Sequence, residues 1–279
     1  MSANRVVTKE TEWLHDAAAE GNTDRVKELL AEKNADVNFH HRASYGSTPL
    51  IAAIIGGHVE TAEALLEGGA DVSALKTPDA NSPLHEACFR KNPDMVRLLL
   101  RFKDQHADDL LHTKDKKAPN WNMIDAKNQF GNAPLHAAAM AGSVATVQVM
   151  LDNGASVESI NNQHSTPLHH ACYCVSDNTD VVEALIHAKS DVNALDKNGS
   201  TPLSVAARKN QVGAIRLLLK AGADPAIKDN VHRTPYTSAV LRGHAAAAEQ
   251  LKGLAPEEEP DSPRSRRTST ASDTTVDQY

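Results

Sequence analysis

The sequence predicts an all-α solenoid: short helical hairpins stacked side by side, each too small to hold a core of its own. Three observations predict it. A proline-containing tetrad recurs at near-constant spacing. Each tetrad is followed by a short Ala-rich stretch and then by an amphipathic one. Only 4% of the 279 residues are aromatic while 41% are hydrophobic, which suits a core of Ala and Leu helices.

The tetrads are TPLI at 48, SPLH at 82, APLH at 133, TPLH at 166, TPLS at 201 and TPYT at 234. Their prolines, Pro49, Pro83, Pro134, Pro167, Pro202 and Pro235, are 34, 51, 33, 35 and 33 residues apart. Four of these intervals sit near a two-helix unit of about 33 residues. The stretch EWLHDAAAEGNTDRVKELL at 12–30 follows the same frame, with Trp13 where proline would stand, and adds a seventh unit in front.

Within a unit the elements follow in order. Thr or Ser caps the first helix, and the next residue, Pro, has its φ preset and no N–H to leave unpaired. Small residues such as Ala137–Ala139 let first helices approach closely. The second helix carries one apolar stripe, as in Val96, Leu98, Leu99 and Leu100, which a neighbour must cover. Gly154 and Gly222 supply left-handed C-caps after second helices. A polar turn, as in DVNALDKNGS at 191–200, leads to the next unit, and Asn38 and Asn193 read as turn residues.

Six tetrads in register, with these flanking segments, resemble the ankyrin repeat family over residues 10–253. The resemblance implies seven stacked repeats whose function is to bind another protein, with no enzymatic activity and no cofactor. It also implies that His85, His136 and His169, at the last tetrad position, support turns by hydrogen bonding. Residues 1–9 form an N-terminal extension. The 51-residue interval holds an insertion of about 18 residues near 103–121, which carries Trp121, with the preceding helix ending near Arg101. Residues 254–279 are rich in Pro, Ser, Thr and charge and are expected to be disordered. Within them Ser262 suits a proline-directed kinase and Ser269, in RRTS, a basophilic one.

The stretch TPLHHACYC (166–174) raises the question of a metal or thiol site. At 100° per residue His169, His170, Cys172 and Cys174 spread over ~200° of a helix and do not converge on one tetrahedral ion. His170 with Cys174 remains as a pair, but the matching places in adjacent units, Ala137, Ala141, Val205 and Lys209, offer no good third ligand. No metal is therefore expected. Cys88 and Cys172 share a repeat position and read as small buried residues, whereas Cys174 is expected to be exposed. No phosphate-binding loop, dinucleotide fingerprint or H-E-x-x-H is present.

The formal charge of −7 argues against nucleic acid as the main partner. Three cysteines, no apolar leader and no membrane-length apolar run predict an intracellular monomer, cytoplasmic or nuclear.

In such a solenoid the concave face comes from first helices and turn tips. The exposed places lie 5, 4 and 2 residues before each tetrad proline and 6 and 7 after it. Four of the ten aromatics fall there: Tyr45, Phe89, Phe130 and Tyr173. Ile55, Arg90 and Met140 join them. Either these form a partner surface or Phe89 and Met140 fold under the turns as local core; scarce aromatics on solvent-facing places favour the surface. Arg208, Lys209, Arg233 and Arg242 make a basic end, which reads either as solvated charge or as a seat for an acidic partner segment. By architecture, a proteasome-assembly chaperone or a transcription-factor regulator are the finer alternatives.

Overall fold

The computed structural model describes residues 8–32, 34–110, 123–174 and 178–254. Fourteen helices among them pair into seven antiparallel hairpins. These are α1 (Lys9–Glu20) with α2 (Thr23–Ala31), α3 (Pro49–Gly56) with α4 (Val59–Glu67), and α5 (Pro83–Phe89) with α6 (Pro93–Leu110). They continue with α7 (Pro134–Ala141) and α8 (Val144–Asp152), α9 (Pro167–Tyr173) and α10 (Thr179–His187), α11 (Pro202–Arg208) and α12 (Val212–Lys220), and α13 (Pro235–Leu241) and α14 (Ala245–Leu251). First helices stack on one another in chain order as one layer, and second helices as another. A single apolar core runs through every repeat, from Leu14 and Leu29 to Ala239 and Leu251. No described helix is long and apolar enough to cross a membrane.

The helix starts explain the tetrad. The hydroxyls of Thr48, Ser82, Thr201 and Thr234 accept from the N–H three residues on, at 3.3, 3.4, 3.1 and 3.2 Å. Two repeats differ. Ala133 has no side-chain oxygen, and the Thr166 hydroxyl instead lies 2.9 Å from His169 Nδ1. There the tetrad His caps from inside the helix. Nδ1 of His136 accepts the Ala133 N–H at 3.1 Å, and Nδ1 of His169 accepts the Thr166 N–H at 3.2 Å; His85 does the same for Ser82 at 3.2 Å.

Because Nδ1 accepts, Nε2 carries the proton, and it donates into the next repeat. His85 reaches the carbonyl of Asn132 at 2.8 Å, His136 that of Ser165 at 2.9 Å and His169 that of Ser200 at 3.0 Å. Each imidazole is thus a staple between repeats, which requires the neutral form. Burial lowers all three pKa values, that of His136 to about 4.

The turn tips share a backbone requirement that the tetrads do not reveal. The residue three before each tetrad proline is left-handed: Gly46 (φ 67°), Ala80 (54°), Gly131 (75°), His164 (57°), Gly199 (71°) and His232 (62°). Glycine meets it without steric cost in three repeats, and L-residues are held there in the other three. In repeats four to seven an Asn or Asp three residues earlier folds the tip. Asn161 Oδ1, for instance, accepts the Gln163 and Ser165 N–H groups at 2.8 and 3.0 Å.

Two sequence expectations are corrected. The helix expected to stop near Arg101 runs to Leu110, so the first part of the 103–121 insertion is helical. No Gly or Pro follows Arg101 to stop it, unlike Gly68, Gly154 and Gly222 after other second helices. In repeat one α1 starts a turn before Trp13, capped by Thr8, because no Thr-Pro pair sets the start at Trp13. Trp121, Ser262, Ser269 and all of the expected 254–279 tail except Leu254 lie outside the described residues.

Candidate partner-binding groove

A groove of about 570 Å³ opens along repeats three to six. First helices and turn tips build it, as the repeat frame predicts. Six of the predicted residues line it: Phe89, Arg90, Phe130, Met140, Tyr173 and Arg208. Phe89 and Phe130 are each 50% exposed and Met140 37%, so Phe89 and Met140 are not folded under the turns as core. Tyr173 was expected to be exposed and is half-buried, packed on the core, because Lys209 Nζ lies 3.7 Å from its ring centre. Lys209 thereby meets the groove through Tyr173.

Lys209 itself is not among the lining residues, and three other predicted residues also lie outside the groove. Tyr45 is 72% exposed at the tip of repeat two, where its carbonyl accepts from Thr77 Oγ1 at 2.9 Å. Ile55 is half-buried at the end of α3. Arg242 is exposed on repeat seven, beyond the groove's end. Arg233 leaves the basic set because its Nε donates to Asp229 Oδ2 at 3.0 Å.

The structure adds a polar floor. Glu86 is only 4% exposed, and its Oε1 accepts from Asn81 Nδ2 at 3.0 Å and Lys76 Nζ at 3.4 Å. Asn128 Nδ2 donates to Asn81 Oδ1 at 2.8 Å, and Asn161 Nδ2 to Asn132 Oδ1 at 2.8 Å, so amides link repeat three to four and four to five. His170 Nε2 accepts from Asn161 Nδ2 at 3.1 Å, and its ring stands edge-on to His136 at 5.1 Å. Burial, helped by His136 and His169, lowers its pKa to about 3.

Glu86, Ala137, His170 and Val205 all stand three residues after their tetrad prolines, and all line the groove. On a helix the third, sixth and seventh places share one face. Extending the exposed face back by one turn was the signal that would have found them. The amide links had no such signal, since their partners lie 29 and 47 residues apart in sequence.

The His/Cys stretch is scaffold in this geometry. His169 staples repeats five and six, His170 accepts from Asn161, and Cys172 is buried, as Cys88 is at the matching place of repeat three. Cys174 was expected to be exposed; it is half-buried, with its thiol turned to the Met140 carbonyl, and burial raises its pKa. Among the described residues no group of three or more His, Cys, Asp or Glu is placed to hold a metal ion.

The family described as ankyrin repeats, in three copies, matches residues 14–110, 108–196 and 172–261. The chain belongs to the ankyrin repeat family. It is 28% identical to human B-cell lymphoma 3 protein over 244 residues, covering 83% of this chain and 49% of that protein. It is 26% identical to the human transient receptor potential cation channel subfamily A member 1, covering 89% of this chain and 25% of the channel. The chain therefore spans a quarter to a half of the length of these relatives. Among solved structures, the ankyrin repeat domain of Bcl-3, a member of the IkappaB protein family, superposes with a TM-score of 0.65 at 27% identity, covering 86% of this chain and 97% of that one. The human ASB11 ankyrin repeat domain gives 0.68 at 27% identity, covering 85% and 95%. The ankyrin fold is a protein-interaction scaffold, and the groove lies on its first-helix and turn-tip side.

Proposed function

We propose that this ankyrin protein is a non-enzymatic adaptor or regulator, a monomer of the cytoplasm or nucleus, that takes a segment of a partner protein into the groove of repeats three to six. One observation carries the reading: Phe89, Phe130 and Met140 stand exposed together over one concavity in a chain poor in aromatics. Aromatic and Met side chains are enriched in protein interfaces, and a few well-packed anchors there carry most of the binding energy. The floor supports the same reading. Its His85 and His169 imidazoles have both ring nitrogens engaged, Nδ1 in capping the residue's own helix and Nε2 in holding the next repeat, which leaves them poorly placed to move protons. Of the finer alternatives, the likeness to the Bcl-3 domain favours a regulator of the IkappaB type over a proteasome-assembly chaperone.

Affinity purification with the wild-type chain beside a Phe89→Ala/Tyr173→Ala variant tests the groove. Partners recovered by the wild type are expected to be lost from the variant, which keeps its thermal transition within a few degrees. Recovery of the same proteins at the same yield by both would exclude this groove as the binding site.

A further inference from the structure

The ends of the first helices form a ridge along the groove, and its charge is unlike that of the whole chain. Arg90 and Lys91 follow α5, Arg208 and Lys209 follow α11, and Arg242 follows α13. The helix-end segments 89–92, 140–143, 173–174, 208–211 and 241–244 contain no Asp or Glu, although the chain as a whole has a formal charge of −7. None of the five cations is paired with a carboxylate among the described residues. Arg and Lys ion pairs there include those of Arg25, Lys76, Arg97, Arg101 and Arg233. Arg208 donates to the Ser200 hydroxyl at 3.3 Å, and Lys209 rests on the Tyr173 ring.

The ridge is continuous from repeat four to repeat seven. His244 Nε2 donates to the Arg208 carbonyl at 3.0 Å, the Gln211 amide donates to the Cys174 carbonyl, and the Cys174 thiol turns to the Met140 carbonyl. Each contact joins the end of one first helix to the next repeat. Met140 and Tyr173 occupy the stretch between the two cationic ends, and Phe130 borders it.

We propose that the groove receives an acidic segment of a partner protein. Large apolar side chains of that segment seat against Phe89, Phe130 and Met140, and its carboxylates pair with Arg90 and Lys91 at one end and with Arg208, Lys209 and Arg242 at the other. This rests on the groove being a protein-binding site. Guanidinium groups offer paired donors that fit a carboxylate, and these cations have no internal carboxylate to give up. A nucleic acid fits less well. It carries a charge on every nucleotide, including those beside Asp79, Glu86 and Asp196, whereas a peptide can confine its carboxylates to the two cationic ends.

The test displays random 12-residue peptides to the full chain and sequences those retained, with four variants alongside. Peptides with Asp or Glu flanking a large apolar residue are expected to be enriched. Their affinity should fall roughly tenfold or more in Arg208→Glu/Lys209→Glu/Arg242→Glu at low salt, a difference that shrinks towards none at about 1 M salt. Arg90→Gln/Arg242→Gln, at two exposed positions, should lower it by a few-fold without any change in melting temperature. If peptides lost in Phe89→Ala/Tyr173→Ala are enriched without acidic residues and ignore the charge variants, the acidic partner is wrong while the groove stands. No enrichment above the Phe89→Ala/Tyr173→Ala background overturns the groove as well. Acidic peptides that bind only after deletion of 256–279 would make the chain's own Glu257–Asp261 stretch the occupant and overturn the partner assignment. Tighter retention of a thymidine 20-mer than of any peptide, lost on charge reversal, would also overturn it.

Discussion

Repeats three to five and repeats six to seven follow one frame but are joined differently. In the first group the tetrad ends in His, and the imidazole crosses to a carbonyl of the next repeat. In the second it ends in Ser204 and Thr237, whose hydroxyls stay within their own helix starts, 3.2 Å from Thr201 and Thr234. Yet α11 packs on α13 as the stapled helices pack on theirs. The solenoid is therefore built without the tetrad imidazole, and the staples add acid-sensitive coupling where the groove lies. The last repeat shows the other half of the rule. Ile54, Cys88, Ala139, Cys172 and Ala207 are buried at the fifth place after their prolines, but Val240, at the same place in repeat seven, is 51% exposed because no repeat follows among the described residues.

The largest expected effect contrasts interior with end. Leu168→Ala, at a fully buried site between repeats, should cost about 2–5 kcal/mol in urea unfolding, whereas Val240→Ala should stay within about 0.5 kcal/mol. Equal losses would mean that something covers the last repeat.

Next comes the staple. His136→Gln at pH 7.5 should cost about 1–3 kcal/mol, since it strands a buried N–H or carbonyl, and Ser204→Ala should cost less. Acid separates them further. A buried His with a lowered pKa binds fewer protons folded than unfolded, so stability falls as pH drops. For His136 the loss runs from about 6.5, the unfolded value, down to about 4, the folded one. The wild-type urea midpoint should therefore decline between pH 7 and pH 4.5, with this one group contributing on the order of 2 kcal/mol at pH 5. In His136→Gln the decline should be shallower, and in Ser204→Ala unchanged. An identical slope in all three would remove the staples from the account.

The smallest effect concerns the turn tips. Ala80→Gly should stabilise by about 0.5–1 kcal/mol, the left-handed cost of an L-residue less the added chain entropy of glycine. Gly199→Ala should destabilise by about 1–2 kcal/mol, because φ is 71° there and a Cβ would meet Asn230 Oδ1 at 2.6 Å. Thermal melts of the two variants moving in the same direction would contradict this.

Most of the fold was legible because its rules are local. The Thr-Pro start, the Ala-rich contact face and the second-helix stripe act within about ten residues, and six copies in register make them unmistakable. The end of α6 was not legible, since only a missing stop signal marked it. The left-handed tips were half-hidden, as Gly46, Gly131 and Gly199 hint at them while Ala80, His164 and His232 do not. Of the groove, the outward-facing aromatics were legible from the frame, but the floor of Glu86, Asn161 and His170 was not.

What the sequence determined by itself is the unit and its copies: where each helix starts, which stripe must be covered, and that no hairpin stands alone. The tertiary structure decided which exposed residues share one concavity, leaving Tyr45 and Ile55 outside it. It also decided which charges are spent internally, as Arg233 is on Asp229, and which remain open, as Arg90 and Arg242 do. The physical reason is range. Helix capping and periodicity act over a few residues of one chain segment, whereas a groove is made of side chains a whole repeat or more apart, whose meeting depends on how the stack curves.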